Sequence, residues 1–167
     1  MAEQTLVEND LHEKVSEMID IFKLYPQVFP GGYYRFLKGR LCDKIDRNEL
    51  IYKKSVVLTW TKYKRKTKIS PTISILKDEI KINQLVNKHQ GNGMAKKIFK
   101  DFLNKHKTTF YLDVKKDNKR AIAFYEKNNF TIVGEKLFGK SKIPGVIMKR
   151  LLNNNRNLLK EFFTNKL

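Results

Sequence analysis

The residues best suited to chemistry form a short glycine-containing stretch, residues 89–96, between an apolar run and a run with helical periodicity. Gly91 and Gly93 stand at the start of the predicted helix, where backbone N–H groups have no partner inside the helix. Because the helix dipole adds positive character there, the stretch is suited to hold a phosphate or pyrophosphate group. An ordinary strand-to-helix turn would also use glycines, so the stretch alone leaves both interpretations open.

The length and a hydrophobic content of 41% favour one globular domain over residues 1–167, and the order of the predicted strands and helices makes it a mixed α/β domain. The single cysteine, Cys42, excludes an intramolecular disulfide and a thiolate zinc site, and we interpret it as a buried or incidental thiol. We expect no metal centre. No apolar run approaches the roughly 20 residues that span a bilayer, and the acidic first residues argue against a secretory signal. These features predict a cytoplasmic protein without membrane association.

The charge is large and unevenly distributed. The formal net charge is +18, yet residues 1–20 hold six acids and only Lys14, whereas residues 53–77 contain no acid. Such a field attracts polyanions. A basic strip with Trp60 and Tyr63 interleaved as stacking surfaces would suit nucleic acid; its members are Lys53, Lys54, Lys62, Lys64, Arg65, Lys66 and Lys68. A lysine-rich composition from AT-rich coding, giving a solvated face without a partner, is the alternative.

The hydrophobic period predicts the elements that position the glycine stretch. Helices are predicted over 10–24, with Asp10 and Glu13 resembling a capping box, and over 33–41. Strands follow over 56–63, 69–76 and 80–86, joined by turns at 64–66 and 77–79. Beyond the glycine stretch we predict helix 93–105, strand 109–114, helix 118–127, and strands 130–137 and 146–150. The last residues, 151–167, predict an amphipathic helix that packs on the domain or mediates association into a homodimer.

Two segments, in this order, resemble the GNAT N-acetyltransferase family. The family's acyl-CoA motif is Arg or Gln, two residues, Gly, one residue, and Gly or Ala, and it is matched by Gln90, Gly93 and Ala95. The family's later segment has a strand, an Asn at a helix start, an Ala and a Tyr-Glu-x-x-Gly-Phe run, matched by Asn118, Ala121, Tyr125, Glu126 and Phe130. The resemblance covers roughly residues 50–150. It implies a splayed mixed β-sheet flanked by helices. The predicted elements divide the single domain into a helical N-terminal segment over residues 1–48, a core over residues 49–150 and a C-terminal helix over residues 151–167.

The resemblance also implies an activity, the transfer of acetyl from acetyl-CoA directly to a primary amine in a ternary complex. Backbone amides of the glycine stretch would hold the pyrophosphate, and the splayed strand before it would pair with the pantetheine arm. The cosubstrate-binding residues implied are Leu85, Val86, Asn87, Gln90, Gly91, Asn92, Gly93, Met94, Ala95, Lys96, Asn118 and Tyr125. No enzyme nucleophile is needed. Amides near Leu85 would steady the oxyanion.

The resemblance assigns Tyr125 as the general acid that protonates the departing thiolate, although a core tyrosine would explain the residue as well. Asn118 serves as helix N-cap, as cosubstrate contact, or as both. The general base is open. Glu79 lies at the offset where histone-type members carry their base, whereas an exposed turn glutamate is the plainer interpretation. His89, beside the glycine stretch, is held in reserve.

Departures from the family pattern leave the acceptor open. Asn129 stands where the family has Gly, and we expect Asn to adopt the left-handed conformation there. Asn92 replaces a frequent basic residue, which leaves Lys96 and Lys97 as the nearest phosphate partners. The first 45 residues have no close match, so the acceptor is unassigned, and an acidic one suits the charge best. The alternative is a GNAT-like protein without turnover that binds nucleic acid, such as tRNA, or an acidic protein through its basic face.

Overall fold

The amino-terminal region is helical, and the computed structural model describes residues 2–151 of the chain. Helix α1 spans Ala2–Phe22, a 3₁₀ helix spans Gly31–Phe36, and α2 spans Leu37–Asp46. Both predicted helices are confirmed, but the capping box is wrong. Asp10 lies inside α1 and pairs with Lys14 at 3.3 Å, because the helix begins at Ala2 and the carboxylate faces the next turn.

Contacts divide the described chain into two units, residues 2–60 with 84–101 and residues 61–83 with 102–151. The apolar stripe of α1 is the centre of the first unit's core. It supplies Val15, Met18, Ile21 and Phe22, each at most 3% exposed. These side chains pack with further buried residues of the same unit: Phe29, Leu37, Leu41, Val57 and Val86. Cys42 is half-buried beside this core, consistent with an incidental thiol.

The strands form a six-stranded mixed sheet in the order β1-β2-β3-β4-β6-β5. Their bounds are β1 Leu50–Lys53, β2 Val56–Lys68, β3 Ser74–Asn87, β4 Thr109–Lys115, β5 Thr131–Phe138 and β6 Ile143–Arg150. Helix α3 spans Met94–Lys105 between β3 and β4, and α4 spans Lys119–Lys127 between β4 and β5. The mixed α/β class is confirmed. No helix within residues 2–151 is long and apolar enough to cross a membrane.

Strand β1 is an element that the sequence did not predict. It pairs antiparallel with β2 from Lys53↔Val56 outward, which leaves Lys54 and Ser55 as a two-residue turn. Both turn residues have positive φ, 50° and 60°, as a type I′ hairpin turn requires. Such turns are recognised in a sequence by Asn-Gly or Asp-Gly. Here Lys and Ser occupy them, so the turn carries no compositional signal.

The second hairpin is longer than predicted, and three predictions about it are wrong. Residues 64–66 and 77–79, predicted as turns, lie inside β2 and β3, and residues 69–76 do not form a separate strand. Lysine clusters on a solvated strand face do not interrupt a ladder, because the side chains leave the backbone groups free to pair. The chain turns only around Pro71. There the Ser70 hydroxyl oxygen accepts a hydrogen bond from the Ile73 N–H at 3.0 Å.

The carboxyl-terminal half follows the prediction closely. Strand β3 pairs in parallel with β4 over Glu79–Ile82 and Thr109–Leu112, and β3 itself continues to Asn87. Strand β6 lies antiparallel between β4 and β5. The alternating burial of β4 places Phe110, Leu112 and Val114 in the core. The helix predicted over 151–167 lies outside the described residues apart from Leu151.

Helix α4 ends in a Schellman motif at Asn129. The Phe130 N–H donates to the Tyr125 carbonyl and the Asn129 N–H donates to the Glu126 carbonyl, each at 3.1 Å. Asn129 has φ of 69°, so the expected left-handed conformation is confirmed. Asn substitutes for Gly here because its short polar side chain tolerates this region better than other L-residues do.

We expect Asn129→Ala to lower the free energy of unfolding by about 1 kcal/mol, because Ala strains at positive φ. Asn129→Gly should be neutral or slightly stabilising. Urea denaturation followed by circular dichroism checks both variants, with Lys127→Ala on the exposed face of α4 as the control. Equal destabilisation by Ala and Gly would show that the Asn side chain, and not the backbone conformation, matters.

Candidate functional site

The glycine stretch is a turn held by the amide side chains of Asn87, which is buried, and Asn92, which is exposed. Asn87, the last residue of β3, is 8% exposed. Its side-chain Oδ1 accepts from the His89 N–H at 3.0 Å and its Nδ2 donates to Asn92 Oδ1 at 3.1 Å. Its carbonyl accepts a hydrogen bond from the Tyr25 hydroxyl. The Lys88 N–H donates to the Ser55 carbonyl at 3.0 Å, so the turn is bound on both sides.

The two glycines of this turn are required by their backbone conformation. Gly91 has φ of 86° and Gly93 has φ of 77°, whereas a Cβ added at either would meet no atom within 4 Å. Other residues strain at such angles. The glycines therefore set the course of the chain into α3, and the space above them stays open for a ligand.

The start of α3 presents its amides in a defined way. Asn92 Oδ1 accepts from the Met94 N–H at 3.1 Å, an Asx turn that binds the first N–H of the helix. The Lys97 N–H donates to the Gly93 carbonyl at 3.1 Å and begins the helical ladder. Ala95 and Lys96 lie between these two amides, in the first turn, where the dipole favours an anion. The side chains of Gln90 and Lys96 are exposed.

The remaining predicted residues of β3 in this unit differ in their burial. Val86 is 5% exposed and belongs to the apolar core of the first unit. Leu85 is half-buried, and His89 is exposed with its backbone N–H bound to Asn87. Val86 therefore contributes its backbone and not its side chain to any ligand.

Asn118 and Tyr125 lie on α4 in the second unit. Asn118 Oδ1 accepts from the Ala121 N–H at 3.2 Å, so the predicted N-cap is confirmed. Tyr125 is two turns further along the helix and half-buried, with its ring 5.7 Å from that of Phe130 in an edge-to-face arrangement. Burial raises the pKa of the Tyr125 phenol well above its usual 10. The phenol therefore stays protonated at neutral pH, as a proton donor must.

Glu79 lies within β3 and is 7% exposed, so the exposed-turn interpretation is wrong. Its Oε2 accepts a hydrogen bond from the Tyr63 hydroxyl at 2.8 Å, and its Oε1 is 3.8 Å from Arg65 Nη1. Burial, followed by this hydrogen bond, raises the pKa of Tyr63 well above 10. Sequence reasoning did not find this pair. The sequence carries little sign of this pair, because Tyr63 on β2 and Glu79 on β3 come together only when the two strands pair.

The aromatic side chains in and beside the basic strip are buried or already make contacts within the protein. Trp60 is 4% exposed, so its predicted role as a stacking surface is wrong. Tyr63 donates its hydroxyl to Glu79. Tyr111 carries the Arg65 guanidinium 5.7 Å and the Lys149 ammonium 5.3 Å from its ring centroid.

A neighbouring carboxylate on the same sheet face binds two lysines. Asp113 Oδ2 is 2.9 Å from both Lys81 Nζ and Lys136 Nζ. Burial alone would raise the pKa of Asp113, but the hydrogen bonds and charges of Lys136 and Lys81 outweigh it and hold the pKa below its usual range. On this face the Asp113 carboxylate therefore lies between two lysine ammonium groups.

The comparisons with known proteins concern this region and the fold. The model of the acetyltransferase (GNAT) family matches residues 85–130, which contain the glycine turn, α3, β4 and α4. A search of curated protein sequences found no match.

Solved structures match the chain at low identity. A GNAT-family acetyltransferase from Streptococcus agalactiae 2603 matches with a TM-score of 0.63 and 10% identity over 86% of this chain and 90% of that one. Arabidopsis thaliana NAA60 in complex with acetyl-CoA matches with a TM-score of 0.58 and 14% identity, over 82% of this chain and 95% of that one. A chain of the NatB acetyltransferase complex bound to CoA and MES matches with a TM-score of 0.56 and 16% identity, over 81% of this chain and 95% of that one. A NatC chain, at a TM-score of 0.45, is covered over only 62% of its length.

These comparisons confirm the resemblance to the GNAT family and the GNAT fold.

We expect the Asp113 contacts to make stability depend on pH. Because the folded pKa of Asp113 is depressed, its stabilisation is fully present above the unfolded pKa of about 3.9 and is lost as the pH falls through the folded value. Asp113→Asn should therefore destabilise the protein at pH 7, and the difference should shrink below about pH 4. Urea denaturation across this range measures it, with the exposed Asp117→Asn as control; a difference constant with pH would contradict the assignment.

Proposed function

We propose that this chain, which shares the GNAT fold and matches the family model over residues 85–130, is an acetyl-CoA-dependent N-acetyltransferase acting on a primary amine. The observation that carries the proposal is the left-handed Gly91 and Gly93 turn leading directly into α3, within the matched segment. NAA60 was solved with acetyl-CoA and NatB with CoA, which supports the same cosubstrate here.

The backbone N–H groups of the glycine turn, Ala95 and Lys96 donate hydrogen bonds to the pyrophosphate of the cosubstrate. Met94 contributes less, because its N–H is bound to Asn92. Lys96 and Lys97 are exposed on the first turn and add positive charge. The pantetheine arm pairs with the backbone of Leu85, Val86 and Asn87. Strand β3 pairs with β4 over Glu79–Ile82, and β3 then continues for five residues to Asn87. This continuation is the part of β3 with which the arm pairs.

In the proposed reaction the acceptor amine attacks the thioester carbonyl directly, a C–N bond forms, and the C–S bond breaks. Glu79 is the base. Its Oε2 accepts the shorter contact, from the Tyr63 hydroxyl at 2.8 Å, so Oε1, which lies 3.8 Å from Arg65 Nη1, takes the amine proton. Tyr125 gives its proton to the departing CoA thiolate. The pKa of the Tyr125 phenol is raised, whereas an ordinary thiol has a pKa of about 8.5, so this proton transfer is uphill. The contribution of Tyr125 to the rate is therefore modest. Asn118 holds the start of the helix that carries Tyr125.

The proposed acceptor is a primary amine, and an experiment can identify the molecule that carries it. Acetylation of a cell lysate with labelled acetyl-CoA, followed by mass spectrometry of protein, RNA and metabolites, identifies it. The high positive charge favours an acidic acceptor over a polycation. The alternative, nucleic-acid binding without turnover, loses its stacking argument because Trp60 is buried.

Acetyl-CoA binding, measured by calorimetry, tests the cosubstrate site. We expect Gly93→Ala to weaken binding about tenfold or more, because a side chain strains the turn at φ of 77°. Gly39→Ala is the matched control, since Gly39 lies in α2, where a Cβ also meets nothing within 4 Å. No binding by the folded, unaltered protein would sink the proposal.

Once an acceptor is known, we expect Glu79→Gln and Tyr125→Phe to lower kcat about 10- to 100-fold while acetyl-CoA affinity changes little. Both groups act on protons that move during the reaction. Glu135→Gln, on an exposed carboxylate paired with Lys116, is the control. Unchanged turnover of either variant removes that residue's role.

A further inference from the structure

The outer portion of the β2–β3 hairpin, residues 62–78, lies beyond the buried portion of the sheet. Strand β2 is buried over Val56–Trp60 and then exposed to its end, and β3 is exposed from its start until Glu79. We call residues 62–78 the outer hairpin. Apart from the half-buried Ser70, every residue in it is exposed.

The tip of the outer hairpin is apolar. Ile69 is 60% exposed, Ile73 58% and Leu76 61%, with Ile75 at 42%. Large aliphatic side chains clustered on an exposed tip mark an interaction surface, whereas single ones are ordinary. Such side chains gain from leaving water and make no hydrogen bonds.

The tip is a closed turn. The N–H groups of Ile69 and Ser70 donate to the Ile73 carbonyl at 3.0 Å and 3.2 Å, and the Ser70 hydroxyl caps the Ile73 N–H. Pro71 has no N–H to satisfy and restricts the turn further. The isoleucines are therefore held ready, which lowers the entropy cost of docking.

Charge follows the same surface. Side chains alternate along a strand, so Lys62, Lys64, Lys66 and Lys68 form a row on one face. The Tyr63–Glu79 hydrogen bond indicates that odd-numbered residues of both strands share the other face, which places Leu76 and Asp78 with the lysine row and Ile75 opposite it. Residues 53–77 contain no acid. The outer hairpin combines an apolar tip with a row of four lysines along β2, against the single acid Asp78 at its base.

We propose that the outer hairpin docks the protein on an anionic lipid bilayer, with the isoleucine tip at the boundary of headgroups and acyl chains and the lysine row on the headgroups. A lysine row binds a diffuse negative surface potential as point charges. The aliphatic tip is stabilised by an apolar environment, which the acyl chains of a bilayer supply and which nucleic acid does not supply to a side chain that neither stacks nor hydrogen-bonds. The proposal departs from the expectation of no membrane association, which rested on the lack of a spanning segment; surface docking needs no such segment.

Vesicle sedimentation with the full-length protein tests the proposal. We expect binding to vesicles of equal phosphatidylcholine and phosphatidylserine, little binding to phosphatidylcholine alone, and weaker binding as salt is raised. Ile73→Trp adds an indole at the tip, and its fluorescence should shift to the blue on binding. No binding, equal binding to both vesicles, or no shift overturns the proposal.

Paired variants separate the two contributions. Ile69→Ser with Ile73→Ser, and Lys64→Glu with Lys66→Glu and Lys68→Glu, should each lower the bound fraction about tenfold or more. The controls are Ile132→Ser with Val133→Ser, which are 49% and 54% exposed on β5, and charge reversal of three other exposed lysines, Lys38, Lys127 and Lys140. Equal loss in controls and hairpin variants contradicts the proposal. So does RNA binding that depends on the lysines and ignores the isoleucines.

Discussion

The turn from β3 into α3 is the constraint on which the candidate site depends. A strand and a helix are joined there by two left-handed glycines, and the backbone groups that the turn exposes must be bound. Asn87 and Asn92 bind them with side-chain amides, one buried at the end of the strand and one binding the first N–H of the helix. The same hydrogen bonds therefore hold the fold together and aim the first-turn amides of α3 outward.

The sheet around this turn is built from two hairpins of different character. The first closes tightly through Lys54 and Ser55 at positive φ. The second is long and carries its lysines out into solvent, where lysine side chains keep strand edges from pairing with other chains. One sheet thereby combines a buried half, in which Glu79 and Trp60 are enclosed, with an exposed ribbon. The proposed catalytic carboxylate lies just where the buried portion of β3 begins.

Several features of the site could be predicted because they depend on neighbours in the chain. The N-cap at Asn118, the left-handed Asn129 and the glycines before α3 involve interactions within a few residues, so spacing alone predicts them. The Tyr63–Glu79 bond and the Asn87 brace were missed. The Tyr63–Glu79 bond joins residues that only strand pairing brings together. The Asn87 bonds to His89 and Asn92 are local, but the burial of Asn87 depends on the rest of the fold.

By itself the sequence determined the α/β class, the helices and strands from residue 93 to residue 150, and the resemblance to the GNAT family. Each of these rests on local periodicity, capping or motif spacing. Only the tertiary structure decided that Glu79 is buried, that Trp60 is enclosed and that residues 69–73 form an exposed turn between β2 and β3, with residues 74–76 belonging to β3. The physical reason is that burial depends on which strands lie alongside, and strand pairing is a long-range choice that composition does not encode. For the glycine turn, the sequence specified the conformation and the fold specified what holds it.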